Sequence, residues 1–313
     1  MKYQDLGSGI SCIDADYGAP GMACFYLLEH KGCCVIIETG TSHSLSNLKQ
    51  CMEDKGLRPE QVRYVVPTHV HLDHAGGAGA MMAIFPEAQL VVHPRGARHL
   101  IDPQKLIASS IAVYGEDVFR KLYGDILSVP ASRVVEAPDQ MVLDVAGREL
   151  VLRHTRGHAD HHFCVWDALS EGWFSGDMFG VCYQSLRFAS GDFVLASTTP
   201  TQFCPDQYLQ SLALLRSYAP SSMYLTHYGQ LSYNDEQCEK LAEQVQGYAS
   251  LATQLSDQPE LLESRLFEYC AGLMQRMGAT LNTRQLSEII GFDTRLNTQG
   301  LKVWLARQQK SSL

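Results

Sequence analysis

Thr68-His69-Val70-His71-Leu72-Asp73-His74-Ala75-Gly76-Gly77 places three imidazoles and a carboxylate within six positions. The stretch follows Val62 to Val66, a largely apolar run of strand length. Pro67 ends that run, and Gly76-Gly77 loosen the backbone behind the cluster. The pattern predicts a strand-to-loop turn whose polar side chains are carried by a rigid strand. Imidazole and carboxylate together suit zinc, iron or manganese. A fully extended chain would spread His69, His71 and Asp73 over roughly 13 Å, too far to meet at one ion. The loop must therefore curl, and Asp73-His74 points to a second ion beside the first. The competing reading is a surface turn that happens to be rich in histidine.

The rest of the chain argues against that reading, because it supplies matching groups. His158 lies in Thr155-Arg156-Gly157-His158-Ala159-Asp160-His161-His162, Asp177 in Phe174-Ser175-Gly176-Asp177, and His227 in Tyr224-Leu225-Thr226-His227-Tyr228-Gly229. Each follows an apolar stretch and stands near a glycine or a turn residue. Each is therefore placed for a strand end that converges on the first cluster.

On these residues the chain resembles the metallo-β-lactamase-fold superfamily of hydrolases, whose hydroxyacylglutathione hydrolases and lactonases share this ligand set. The family's His-x-His-x-Asp-His motif is matched by His69, His71, Asp73 and His74. Its later His, Asp and His are matched, in order, by His158, Asp177 and His227. The resemblance covers about residues 1 to 230. It implies two divalent metal ions, with zinc expected first and iron or manganese as alternatives. One ion would sit on His69, His71 and His158, the other on Asp73, His74 and His227, with Asp177 bridging. Asp73 and Asp177 are the expected catalytic carboxylates. The implied fold is α+β, a four-layer αββα sandwich over residues 1–235, with a helical extension, 236–313, packed on it. Family members usually carry Asp-Thr-Gly after the third strand, and here the sequence is Glu38-Thr39-Gly40. The longer carboxylate leaves its role open, as does that of His162, four residues after His158.

The 313 residues suffice for one large core, or for one domain with an appendage. A net charge of −9 argues against general binding to nucleic acid or anionic membranes. Met1 to Gly7 lacks the apolar core of a secretory signal, and no apolar run approaches a membrane span. Ten scattered cysteines, with Cys33-Cys34 inside an apolar run, suit a reduced cytoplasmic protein with buried thiols.

Strands are expected near 10–14, 23–29 and 34–38, then a helix from the Thr41-Ser42 cap to about Gly56. A helix over 78–85, a strand over 89–92 and a helical insertion over 103–127 follow. In that insertion Tyr114 and Tyr123 are read as core. His43, His93, His99 and His154 fall outside the ligand pattern. A hairpin over 134–155 and strands over 163–166 and 173–175 lead to Asp177. The aromatic stretch 178–204 has no clean period and is the candidate pocket wall. Within it Cys182 reads as packing, and Arg187 as a loop cation or a contact for a polar substrate end. A helix over 206–218 and a strand over 223–226 precede His227. The tail carries two helical stripes, then two short helices over 283–290 and 298–308.

A metal site of this composition makes hydroxide near neutral pH, since bound metal lowers the pKa of water from about 15.7 to about 7. The leading expectation is therefore hydrolysis of a small carbonyl ester, thioester or lactone through metal-bound hydroxide. Phosphodiester cleavage is the enzymatic alternative, and a regulatory protein that keeps the fold is the non-enzymatic one. Redox chemistry at two irons lacks its flavodoxin domain here, and persulfide oxidation at one iron is a further redox variant. A small-molecule substrate is expected, with no nucleic acid and no membrane. The oligomeric state is open at this point.

Overall fold

The computed structural model describes residues 2–198 and 201–311. The fold is α+β, with two large sheets, flanking helices and C-terminal helices. The chain divides into two compact units. The first is Met1–His154, His161–Gly176 and Pro220–Ser232; the second is Thr155–Asp160, Asp177–Ala219 and Tyr233–Leu313.

In the first unit, one sheet runs in chain order. Its strands are β1 (Tyr3–Gly7), β2 (Ile10–Asp14), β3 (Cys24–His30), β4 (Cys33–Ile37), β5 (Val62–Val66), β6 (Gln89–Val92) and β7 (Val134–Glu136). The second sheet uses β8 (Val142–Val145), β9 (Arg148–His154), β10 (Phe163–Asp167), β11 (Gly172–Gly176), β14 (Ser222–Leu225) and β15 (Gly229–Ser232), in the order β15-β14-β11-β10-β9-β8. Two short strands, β12 (Arg187–Phe188) and β13 (Gly191–Asp192), pair in the second unit. The helices are α1 (Leu45–Asp54), α2 (Leu72–Ala75), α3 (Ala78–Ile84), α4 (Pro94–Ile101), α5 (Gln104–Tyr114), α6 (Glu116–Tyr123), α7 (Pro205–Ser217), α8 (Asp235–Gln254), α9 (Leu262–Arg276) and α10 (Thr283–Ser311).

Strand periodicity explains the layering of the first unit. Side chains alternate across a strand, so β4 sends Val35 and Ile37 one way and Cys34 and Ile36 the other. Val35 and Ile37 join Leu150, Phe163, Phe174 and Tyr224 of the second sheet in one core. Cys34 and Ile36 meet Leu48, Met52, Met81 and Leu100, which lie on α1, α3 and α4. Fully burying each such aliphatic side chain stabilises by about 1.5–3 kcal/mol. A smaller cluster joins Leu72 of the metal-motif loop to Phe119 and Tyr123 of α6, so Tyr123 is core as expected. The side chain of Tyr114 lies outside the described residues.

Two differences from the expected elements have physical causes. β1 is an edge strand with a mostly exposed pattern, held by pairing to β2, so its polar sequence carries no strand signal. The tail's last segment is one helix, α10, where two were expected. Thr294, Asn297 and Thr298, poor helix formers, lie within it. All three are buried. The threonine hydroxyls donate to carbonyls four residues back, Ile290 and Thr294, and Asn297 bonds to a distant loop.

No disulfide links the ten cysteines. Burial pushes Cys34, Cys182 and Cys270 up to about 12 and Cys51 up to about 11. At pH 8 these thiols are protonated and poor nucleophiles. A maleimide should label them only as the protein unfolds, and fast labelling in the native state would contradict this. The linkage has one sign. The unfolded thiol value is 9.0, so the stability these groups add is complete below pH 9.0 and is lost as the pH climbs toward 11–12. Among the described residues no helix is long and apolar enough to cross a membrane.

Candidate metal centre

The ends of β4 and β5 in one sheet and of β14 in the other carry the first unit's candidate ligands. β4 and β5 are parallel, with Ile37 beside Val66, so the residues just beyond them meet. Glu38 turns out of β4 with φ 63° and is 1% exposed. Its Oε2 accepts from the Thr68 backbone N–H at 3.0 Å and its Oε1 from the Thr68 hydroxyl at 2.5 Å. The same Oε1 accepts from His74 Nδ1 at 2.9 Å and from the Thr226 hydroxyl, at the end of β14, at 3.1 Å. A buried carboxylate without such donors would be costly; Glu38 has four.

These bonds fix which face each imidazole presents. With Nδ1–H given to Glu38, His74 keeps Nε2 for a ligand. The Thr68 proton goes to Glu38, so its oxygen accepts from His69 Nδ1 at 3.1 Å, which again leaves Nε2 outward. His227 Nδ1 donates to the Met22 carbonyl at 2.7 Å. His71, in extended conformation, precedes α2, and that single helical turn curls the loop back on itself. His69 Nε2 and His71 Nδ1 stand 2.7 Å apart, aimed at one place. Asp73 Oδ2 lies 3.7 Å from His74 Nε2 and 3.4 Å from His227 Nε2.

Ligand atoms of Asp73, His74 and His227 all lie within 4.8 Å of one another, as do those of Glu38, His69 and His74. The first group fits a divalent ion. Its two imidazoles present Nε2 with tautomers already set, and its carboxylate is part-exposed. The second does not, because the Glu38 oxygens are occupied by hydroxyl, amide and imidazole donors. The packing around it is close. A Cβ on Gly176, which has φ +50, would stand 2.4 Å from Thr68 Oγ1 and 2.6 Å from His162 Nε2. His162 is fully buried, its ring 4.9 Å from that of His69. His161 stacks on His69 at 6.1 Å.

The second unit carries His158 and Asp177. His158 Nε2 is 3.3 Å from Asp177 Oδ2, and its Nδ1 donates to the Ser197 carbonyl at 3.3 Å. Gly157 has φ +123, and a Cβ there would come 2.3 Å from the Tyr208 backbone, so α7 packs directly on the turn before His158. Tyr208 in turn donates its hydroxyl to the Asp177 carbonyl at 3.2 Å.

Two histidines outside the ligand pattern have structural partners. His93 caps α4 by accepting from Arg95 N at 3.1 Å, His154 donates to the Ala137 carbonyl at 2.9 Å, and their rings lie 4.1 Å apart. Arg187 sits opposite Asp192 in the β12–β13 register. Sequence reasoning left Glu38 open and passed over Thr68 and Thr226. The available signal was a hydroxyl residue immediately before each of the two candidate ligands His69 and His227.

Glu38→Gln tests the hub. The amide replaces an acceptor with a donor facing the Thr68, Thr226 and His74 protons. Metal affinity should fall about 10–100-fold, as when other hydrogen-bond partners of ligands are changed. Competition with a chromophoric chelator measures it, and unchanged affinity would remove Glu38 from the site's support.

Residues 19–203 match the family model described as the metallo-beta-lactamase superfamily, and the chain belongs to that superfamily. Its members are generally metal-dependent hydrolases. The metallo-beta-lactamase fold-containing protein ST1585 of Sulfurisphaera tokodaii is 24% identical over 217 residues, covering 68% of this chain and 75% of that protein. The crystal structure of ST1585 aligns with TM-score 0.62 at 23% identity, over 90% of this chain and 99% of that one. The metallo-beta-lactamase family protein TTHA1429 from Thermus thermophilus aligns with TM-score 0.68 at 19% identity, over 97% and 95%. Rubredoxin oxygen:oxidoreductase from Desulfovibrio gigas shares the fold at TM-score 0.54 and 17% identity, over 82% and 70%. The fold thus serves oxidoreductases as well as hydrolases.

Proposed function

We propose that the chain is a two-metal hydrolase of small carbonyl esters, thioesters or lactones. The observation that carries this is the convergence of Asp73, His74 and His227, with both imidazole Nδ1 atoms already committed to Glu38 and Met22. On the family's ligand order, His69, His71 and His158 hold one ion, Asp73, His74 and His227 the other, and Asp177 bridges. Zinc is the proposed metal, with iron or manganese as alternatives. When bound, the ions supply a hydroxide near neutral pH and Lewis acidity toward a developing oxyanion.

This chain's residues do the rest. Glu38 keeps Nδ1 protonated on His74, and the main-chain carbonyls of Met22 and Ser197 do the same for His227 and His158. Asp73 or Asp177, acceptor-only when ionised, orients the nucleophile and takes its proton. The segment that begins at Asp177 supports the substrate class. Phe179, Val181, Leu186, Phe193 and Leu195 are buried there. Past Asp177, the only charges through residue 204 are Arg187 and Asp192, which face each other across β12 and β13. A polyanionic phosphodiester would be served by several unpaired cations, whereas a modest acyl group suits an apolar wall.

The test compares kcat/KM on matched acyl and phosphodiester substrates with the same metal loaded. Preference for the acyl substrate is expected. Preference for the phosphodiester would overturn the substrate class, and dioxygen consumption by the iron-loaded protein without hydrolysis would overturn the reaction type.

A further inference from the structure

His158 is oriented by a main-chain group that the C-terminal helices hold in place. Its Nδ1 donates to the Ser197 carbonyl at 3.3 Å. Asn297 of α10, 3% exposed, brackets Ser197 from both sides. Its Nδ2 donates to the Ala196 carbonyl at 2.8 Å, and its Oδ1 accepts from the Thr198 N–H at 2.7 Å. The Thr198 hydroxyl also donates to the Asn297 carbonyl at 3.1 Å. Behind it stands Gln244 of α8, also 3% exposed. Gln244 accepts from the Ala196 N–H at 3.1 Å and donates to the Val194 carbonyl at 2.8 Å. Two buried amide side chains thus fix four main-chain groups around Ser197, whose own carbonyl faces the imidazole. Buried amides are expensive unless fully bonded, and when bonded they are directional in a way that apolar packing is not.

We propose that Asn297, backed by Gln244, is a positioning residue for His158. It holds the Ser197 carbonyl where that group keeps the imidazole protonated on Nδ1, with Nε2 turned toward Asp177. The tail is then part of the metal site's support. The proposal rests on the reading of His158 as a metal ligand. A purely structural role for Asn297, fastening α10 to the loop, predicts lost stability with His158 unaffected.

The experiment uses the full chain. Nitrogen-15 histidine spectra of the metal-free protein at fixed pH report the His158 tautomer, and chelator competition with Zn2+ reports the affinity of each equivalent. The variants are Asn297→Ala and the near-isosteric Asn297→Asp and Gln244→Glu, which carry the test if the alanine variant does not fold. Leu286→Ala is the control, because it opens the buried side of the same helix away from the loop. Both Asn297 variants are expected to shift the His158 signals and to weaken one metal equivalent about 10–100-fold, while the control does neither. Unchanged His158 signals in folded Asn297 variants, or a metal loss equal to that of Leu286→Ala, would overturn the proposal. If the wild-type chain binds no Zn2+, the ligand reading fails, and the tautomer spectra still decide whether Asn297 positions His158.

Discussion

Asp177→Ala is expected to abolish turnover and to weaken at least one bound metal while leaving the fold in place. The residue is 6% exposed and its carboxylate lies 3.3 Å from His158 Nε2. The turn that carries it is held by main-chain contacts: the Asp177 carbonyl accepts from the Tyr208 hydroxyl at 3.2 Å and from Gly180 N at 3.1 Å. Truncating the side chain leaves those bonds intact. The chemical loss should exceed the 10–100-fold penalty that follows from altering a mere partner of a ligand. Activity assays, metal analysis and a thermal melt on the same preparation check all three parts. Near-normal turnover with two bound metals would remove Asp177 from the bridging role.

The largest stability effect is expected at Asp167. Arg148, at the start of β9, and Asp167, at the end of β10, are 2% and 0% exposed and form a two-pronged ion pair. The guanidinium also donates to the Ser8 carbonyl at 2.6 Å, and the carboxylate accepts from the backbone N–H groups of Leu169 and Ser170 and from the Ser170 hydroxyl. Asp167→Ala leaves a buried guanidinium without its counter-charge, at a cost of about 3–5 kcal/mol. That corresponds to a Tm drop on the order of 10 °C. The pair Arg148→Met with Asp167→Leu should recover much of the loss, since no uncompensated charge remains. Urea melts decide: a single variant within about 1 kcal/mol of wild type would show that solvent or a new partner reaches Arg148.

The metal motif was legible because its chemistry demands particular residue types at close spacing, directly after an apolar strand. The strand Val62–Val66 and the curl of the loop behind it followed from composition and distance alone. Glu38 was not legible as a hub. Its partners Thr68, His74 and Thr226 lie 30, 36 and 188 positions away, and strand pairing together with the packing of the two sheets brings them to one carboxylate. The same holds for Asn297, whose partner Thr198 is 99 positions distant. In isolation an asparagine inside a helix reads as a break. In the folded chain it completes hydrogen bonds that a loop needs, so tertiary context overrides helix propensity.

Metal content is the direct measurement of a two-ion site. Protein purified without chelators, loaded with Zn2+ and desalted, should carry two equivalents per chain by elemental analysis, falling toward one in Asp177→Ala. A stable ceiling of one equivalent in the wild-type chain would contradict the claim.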